Sequence, residues 1–171
     1  LVEPNLLESA LLTYQTVLTK PRFADDDFQR EKSRTIAGLK HREESPAAIA
    51  SIAFQNALYH EHPYAHPEEG VVQTVAGFSV ADLKEFYQKY YVAANAVVVI
   101  VGDVSRQRAE QIATNLMSGL TVGQKPQEIP AVELPVKPSQ QQVNFPSTQT
   151  HILVGMPGTY RKDPDYFALY V

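Results

Sequence analysis

The spacing of apolar residues constrains the fold of this chain more than any other feature. Through the first two thirds of its 171 residues, apolar side chains recur every three or four positions, as on one face of an α-helix. The first such face comprises Leu7, Ala10, Leu11, Tyr14, Val17 and Leu18. Lys20-Pro21 ends it, because proline cannot continue a helix. The sequence therefore predicts a series of amphipathic helices.

Serine residues indicate where three of the later helices begin. Ser45 precedes a proline, Ser79 stands three residues before Asp82, and Ser105 opens another amphipathic stretch. A serine hydroxyl at this position accepts a hydrogen bond from a first-turn N–H group, and proline fits the first helical position. A separate, highly charged helix is predicted to begin at Asp25-Asp26-Asp27, where the helix dipole favours negative charge.

Three apolar segments, residues 96–101, 142–145 and 150–155, are predicted to be strands. From Thr121 to Pro146 the chain has five prolines, a composition typical of a semi-stiff linker. We therefore expect residues 1–120 to be the latter part of one domain and residues 121–141 to be a linker. Residues 142–171 are expected to begin a second domain, in which Asp163-Pro164 starts a helix.

Composition excludes several classes of function. The net charge of −4, from 15 basic and 19 acidic residues, argues against a nucleic-acid or anionic-membrane partner. The chain has no cysteine, which excludes disulfides, thiol catalysis and thiolate metal sites. No apolar run approaches the roughly 20 residues that a membrane-spanning helix needs. Because residues 166–171 form an apolar run up to the last residue, we expect a fragment of a longer protein.

A cluster of histidines is the first candidate metal site. His60, His62 and His66 lie with Glu61 in one loop that contains two prolines. Imidazole and carboxylate groups are common zinc ligands. Zinc sites, however, usually take their ligands from one helix face or from separate elements, and this loop supplies neither arrangement. We favour a structural turn for these residues and keep them as alternative zinc ligands.

The second candidate is the segment His41-Arg42-Glu43-Glu44-Ser45, which nearly matches the inverted zinc-peptidase motif H-x-x-E-H. That motif needs two histidines one helical turn apart beside a general-base glutamate. Here Ser45 replaces the second histidine, and Pro46 follows at once. We interpret the segment as a solvated, charged helix end.

The aromatic residues Phe86, Tyr87, Tyr90 and Tyr91 have helical spacing and precede the valine-rich segment. They form either a binding face or part of a hydrophobic core, and the core is the interpretation we favour. No nucleophile elbow, P-loop or dinucleotide-binding motif is present. Residue chemistry alone therefore identifies no catalytic residue, and the substrate-binding residues stay unknown at this stage.

The order of several short motifs resembles that of a known family. These motifs are, in sequence, Pro21-Arg22-Phe23, Gln29-Arg30-Glu31-Lys32, Glu44-Ser45-Pro46, Ala57-Leu58-Tyr59, His62-Pro63-Tyr64, Gly70, Ala81-Asp82-Leu83-Lys84-Glu85-Phe86-Tyr87, Tyr90-Tyr91-Val92-Ala93-Ala94-Asn95-Ala96 and Gly102-Asp103-Val104. The series resembles the insulinase/pitrilysin family of zinc peptidases, which carry the inverted motif and include bacterial processing-peptidase-like proteins. The resemblance covers roughly residues 5–120, and the stretch from Gln149 onward is similar to the beginning of a second family domain.

This resemblance implies an α+β fold, with helices packed on a mostly antiparallel sheet in each of two similar domains. It also implies a third zinc ligand, a glutamate, on the charged second helix. In the alignment anchored on Arg30-Glu31-Lys32, Gly38 occupies that position. A glycine has no side chain with which to coordinate zinc. We therefore predict no catalytic residue, no metal ligand and no cofactor in this fragment, with zinc in an active relative or partner subunit.

The resemblance suggests that the chain is the metal-free subunit or half of a zinc peptidase, inactive alone, which assists substrate binding. One alternative is a genuine zinc metalloendopeptidase whose H-x-x-E-H motif lies upstream. The other is a non-enzymatic structural scaffold. The expected partners are a peptide substrate and either a homologous catalytic subunit or a second copy, and the bacterial periplasm is the expected location rather than the cytoplasm.

Overall fold

The computed structural model describes residues 4–133 and 137–170, and the regular structure in these ranges is helical. Seven α-helices are formed there: α1 (Leu7–Thr19), α2 (Asp25–Glu43), α3 (Pro46–Tyr59), α4 (Val72–Gly77), α5 (Val80–Tyr90), α6 (Arg106–Met117) and α7 (Tyr166–Tyr170). Short 3-10 turns lie at Pro4–Leu6, Pro63–Ala65 and Ala93–Asn95. None of the helices in the described ranges combines the length and hydrophobicity that a membrane crossing requires.

The predicted helix starts are confirmed at all three serines. The hydroxyl of Ser45 accepts from the Ala48 N–H at 3.4 Å, and that of Ser105 accepts from the Arg108 N–H at 3.3 Å. At α5, Ser79 and Asp82 form a reciprocal capping box, in which each side chain accepts from the other residue's backbone N–H. These contacts are local in sequence, which is why the pattern could predict them.

The described chain divides into two compact units. The first unit consists of Gly77–Glu128 and the described part of Leu1–Glu31, and it contains α1, α5 and α6. Helix α6 buries Ile112 and Leu116, which lie one turn apart on the same face. Its C-terminal end is linked to α1, because the Gln15 side-chain amide donates to the Asn115 carbonyl at 2.6 Å.

A close backbone contact joins the turn after α5 to the chain beyond α6. The backbone N–H groups of Ala93 and Ala94 donate to the carbonyls of Thr121 and Val122 at 2.8 and 2.9 Å. Gly123 follows with a φ of +60°, and a Cβ atom there would lie 2.4 Å from Cβ of Val92. Only glycine fits this position without displacing Val92, which is buried.

The second unit consists of Lys32–Ala76 and the described part of Ile129–Val171. Leu39 of α2, Ala65 of the 3-10 turn and Val75 of α4 are its buried apolar residues in the described ranges. Within this unit, the 3-10 turn Pro63–Ala65 packs against α3, and the rings of Tyr59 and Tyr64 meet edge to face at 5.7 Å.

The predicted fold, helices on a mostly antiparallel sheet, is wrong for this structure. No residue of 4–133 and 137–170 belongs to a strand, and segments 96–101, 142–145 and 150–155 are irregular. A strand exists only when its backbone groups pair with another strand, and no described segment pairs with these three. The side chains of Val97, Val99 and Val101 are 89%, 78% and 91% exposed. Their apolar composition therefore predicted the wrong element. Asp163 does precede a helix, although α7 begins only at Tyr166.

Candidate functional site

The position that the resemblance assigns to a zinc ligand lies in the middle of α2. Gly38 is exposed there, and a Cβ atom would have no neighbour within 4 Å. Packing therefore does not require a glycine at this position. At the charged end of the same helix, His41 and Glu44 face solvent, with 3.7 Å between Nδ1 and the carboxylate. Glu43 is exposed as well, whereas Arg42 is half-buried.

We call residues 60–70 the histidine loop. The imidazole of His62 has a structural role in this loop. The Tyr64 N–H donates to Nδ1 of His62 at 3.2 Å, and Nε2 of the same ring lies 2.9 Å from the Pro130 carbonyl. Because a carbonyl only accepts, Nε2 carries the proton and Nδ1 supplies the lone pair. Both ring nitrogens are thus occupied, so this arrangement leaves none for a metal ion.

The neighbouring histidines do not complete a metal site in this structure. His60 follows the last residue of α3 with a φ of +48°, and His66 follows the turn Pro63–Ala65. Across residues 4–133 and 137–170, no three or more His, Asp or Glu side chains are grouped so that they could hold a metal ion. The chemistry of this loop is that of a packed turn whose end is held by an ion pair between Arg42 and Glu69 at 2.6 Å.

A cavity of about 750 Å³ lies in the first unit, between α1 and α5. We call it the apolar groove. Its lining consists of Tyr14, Val17, Leu18, Pro21, Phe23, Phe78, Asp82, Leu83, Phe86, Tyr87 and Tyr91. Six of these eleven residues are aromatic and four are aliphatic. A volume of this size is typical of a ligand-binding cleft.

One end of the apolar groove is fixed by contacts of Tyr87. The Tyr87 hydroxyl donates to the Leu18 carbonyl at 2.7 Å, which ties α5 to the end of α1. Its ring meets Phe23 edge to face at 5.7 Å and stacks on Tyr91 at 5.0 Å. Phe23 has a φ of +49°, an uncommon conformation for an aromatic residue. The same residue makes the ring contact with Tyr87.

The apolar groove is lined almost entirely by uncharged residues. Asp82 is its only charged lining residue. The carboxylate of Asp82 accepts from the Ser79 N–H at 2.7 Å and from the Ser79 hydroxyl at 2.6 Å. It also lies in the first turn of α5, where the helix dipole favours negative charge. The groove is therefore suited to uncharged, apolar groups.

Of the aromatic residues that we favoured as core, Phe86, Tyr87 and Tyr91 line this groove, whereas Tyr90 does not. Phe86 and Tyr91 are exposed, and Tyr87 and Tyr90 are half-buried. The core interpretation is wrong for Phe86 and Tyr91, because in this structure no further layer covers them. Phe23 and Phe78 were not predicted as lining residues. Phe23 lies between α1 and α2, and Phe78 lies just before α5. An aromatic residue beside a helix end indicates a groove only once α1 and α5 are known to be neighbours.

A family model described as the peptidase M16 inactive domain matches residues 77–171, more than half of the chain. The chain belongs to the peptidase M16 inactive domain family. The predicted resemblance to inverted-motif zinc peptidases is thereby confirmed. The matched region includes α5, α6 and part of the apolar groove, whereas Gly38 and the histidine loop precede it.

Two proteins similar to this M16 chain carry contrasting names, one a protease and one a non-peptidase. It is 23% identical to an uncharacterized zinc protease of Rickettsia felis over 152 residues, 89% of this chain and 36% of that protein. It is also 23% identical to the non-peptidase homolog YmxG of Helicobacter pylori, over 88% of this chain and 34% of that protein. The chain spans about a third of the length of these curated relatives.

The crystal structure of a peptidase M16 inactive domain from Pseudomonas fluorescens is similar to the M16 chain in three dimensions. The TM-score is 0.74 with 34% sequence identity, over 77% of this chain and 32% of that one. This chain is thus similar in fold to a solved member of the family over 77% of its length.

Proposed function

We propose that this chain is a metal-free part of an M16 zinc protease, and that its apolar groove assists the binding of the peptide that a zinc-bearing part cleaves. The observation that carries this proposal is the open groove itself. Three of its lining residues, Tyr14, Val17 and Phe86, are 60%, 71% and 58% exposed. Exposed apolar surface collected in one concave site is typical of a protein-binding site.

The chemistry of the groove suits an unfolded peptide. Each large apolar side chain that leaves water for such a site contributes about 1.5–3 kcal/mol, part of which offsets the entropy lost on association. The aromatic rings of Phe23, Phe78 and Phe86 provide flat surfaces against which aromatic or aliphatic side chains can pack. Selection by such walls depends on hydrophobicity rather than on one residue type.

Metal chemistry has no place in the proposed role. A zinc centre needs several nitrogen, sulfur or oxygen ligands that converge on one point. By the family resemblance, one of these ligands would come from the position on α2 that Gly38 occupies. Both ring nitrogens of His62 already form hydrogen bonds within the protein. These residues do not fit a zinc site. The zinc expected in this family would be held by the catalytic part.

A genuine zinc metalloendopeptidase is the alternative function. The observation that favours it is the zinc-protease name of the Rickettsia felis relative, which matches 89% of this chain. The non-peptidase name of the Helicobacter pylori relative supports the metal-free role. The two candidates differ in what zinc does to the full-length protein, because the H-x-x-E-H motif of a genuine peptidase would lie upstream of residue 1.

Fluorescence anisotropy with a labelled, unstructured peptide rich in leucine and phenylalanine tests the substrate role. We expect binding without hydrolysis, and about tenfold weaker binding by a Phe86→Ala variant, because one apolar anchor is lost. Tyr160→Ala is the matched control, since Tyr160 is also an exposed aromatic residue but lies outside the groove. Absence of binding would overturn the substrate role and favour a structural scaffold.

Thermal melting with stoichiometric zinc tests the metal-free role. A real site stabilises the folded state, so its melting temperature rises with zinc and falls again with a chelator. We expect no such shift and no zinc-dependent hydrolysis. A shift that a His62→Ala, His66→Ala double variant abolishes would instead show that the histidine loop binds metal.

A further inference from the structure

The imidazole of His62 bonds the backbone of two separate segments. Its Nδ1 atom lies 3.2 Å from the backbone nitrogen of Tyr64, two residues later, and its Nε2 atom lies 2.9 Å from the Pro130 carbonyl oxygen. Pro130 follows His62 by 68 positions. One ring therefore bonds both the histidine loop and a distant part of the chain.

The bond to Tyr64 caps the 3-10 turn Pro63–Ala65. A side-chain acceptor at the start of a helical turn satisfies an N–H group that has no acceptor within the turn. The next two N–H groups of the turn donate to backbone carbonyls at 2.9 and 3.2 Å, whereas the acceptor for the Tyr64 N–H is the imidazole. The start of this turn thus depends on an unprotonated Nδ1 atom.

A second proton on the imidazole is incompatible with this cap. A neutral imidazole has one donor and one acceptor nitrogen, which is what the Pro130 carbonyl and the Tyr64 N–H require. An imidazolium donates from both nitrogens and accepts at neither. Protonation therefore places two donors against each other at Nδ1, while the bond from Nε2 to Pro130 is kept.

The groups around the ring do not offset this loss. The rings of Tyr59 in α3 and of Tyr64 lie 6.3 and 4.7 Å from the imidazole, and tyrosine hydroxyls stay neutral in acid. Within residues 4–133 and 137–170, His62 forms no ion pair with a carboxylate. The other titratable residues of the histidine loop and the carboxylates nearest Pro130 along the chain are exposed, namely His60, Glu61, His66, Glu68, Glu69, Glu128 and Glu133.

We propose that His62 is an acid-sensitive cap, which holds the turn Pro63–Ala65 at neutral pH and loosens it when the imidazole gains its second proton. Histidine is the side chain that ordinarily changes charge between about pH 5 and 8. The capped turn binds one proton fewer than the loosened turn. The cap therefore stabilises the turn at the upper end of this range and is lost as pH falls.

The loosened turn affects its packing on α3. The Tyr64 ring meets the Tyr59 ring edge to face at 5.7 Å, and Ala65 is 1% exposed. Both contacts depend on the backbone position of the turn, so we expect them to weaken in acid. This inference goes beyond the proposed function, because it concerns the second unit and no residue that lines the apolar groove.

Nuclear magnetic resonance of the isotope-labelled chain tests the cap. At neutral pH we expect the His62 ring to be the tautomer with its proton on Nε2. We also expect the protection of the Tyr64 amide from hydrogen exchange to fall about fivefold between about pH 7.5 and 5, the effect of losing one cap. Dividing each rate by the intrinsic rate at that pH removes the ordinary pH dependence of exchange.

His62→Asn provides the sharpest variant. An asparagine oxygen also accepts from the N–H group two residues later, but it does not titrate. Protection of the Tyr64 amide should then be the same at both pH values. His66→Asn is the matched control, since His66 is an exposed histidine of the same loop, and it should keep the fivefold change.

A second control separates the cap from the other acid-sensitive contact of this loop. Glu69→Gln removes the ion pair with Arg42 and should also keep the fivefold change. A neutral tautomer with its proton on Nδ1 overturns the inference, as does equal protection of the Tyr64 amide at both pH values. A pH response that persists in a folded His62→Asn variant, checked by far-UV circular dichroism, also overturns it. The tautomer and the exchange of the parent chain decide the matter even where a variant does not fold.

Discussion

Two glycines show how the same residue type serves opposite roles in this chain. Gly38 lies in the helical interior of α2 with open space where a Cβ atom would be. Gly123 has a left-handed backbone conformation and lies against Val92. Sequence analysis singled out Gly38 because a zinc ligand was expected there. It gave no reason to single out Gly123, because its constraint comes from a residue 31 positions earlier in the chain.

We expect Gly38→Ala to stabilise the protein by about 0.5–1 kcal/mol, because alanine favours the helix and restricts the unfolded chain. Gly123→Ala should destabilise it, since the added methyl group would overlap Val92. Urea denaturation of both variants measures the two changes in the free energy of unfolding. Equal effects of the two substitutions would contradict this difference in role.

At the scale of elements, one ion pair attaches the end of the histidine loop to α2. Arg42 bonds the Glu69 carboxylate at 2.6 Å and donates to the Gly70 carbonyl at 3.2 Å. The Arg42 guanidinium is the main reason why the pKa of Glu69 is lowered from its ordinary value, with a smaller effect from a backbone hydrogen bond. The contact crosses 27 positions of sequence, so the charged pattern of α2 did not predict it.

The lowered pKa of Glu69 has a definite consequence for stability. Near the ordinary carboxyl pKa the unfolded chain binds more protons than the folded one, so stability rises with pH and is lost as pH falls through the folded pKa. Glu69→Gln should therefore be slightly less stable than the parent at neutral pH and equal to it in strong acid. The effect is small because the carboxylate is exposed.

Urea denaturation at neutral and at acidic pH measures this difference. Glu68→Gln, one residue away, is the matched control for the loss of one carboxylate. A Glu69→Gln deficit that persists unchanged in acid would mean that the pair acts through packing rather than charge.

At the scale of the whole molecule, apolar surface is distributed unevenly between exposed and buried sites. Few large side chains of the described residues are completely buried, and the side chains of Val97, Val99 and Val101 are exposed to solvent. Exposed apolar segments without backbone partners promote association between chains. We therefore expect the irregular segment 96–101 to promote aggregation.

We expect Val99→Lys to reduce aggregation, seen by dynamic light scattering, without changing the urea midpoint, because the side chain is already solvated. Val92→Lys is the contrasting variant. Val92 is 2% exposed, so a charge there should unfold the first unit. If Val99→Lys also lowered the urea midpoint, segment 96–101 would contribute to the folded core.

The helix starts at Ser45, Ser79 and Ser105 could be predicted from the sequence alone, because they depend on interactions within a few residues. The order of motifs also identified the family, later confirmed over residues 77–171. The sequence could not predict whether the apolar segments form strands or what the aromatic face of α5 packs against. Both depend on which distant segment packs against them. Periodicity shows that a face is apolar, but it does not show what covers that face.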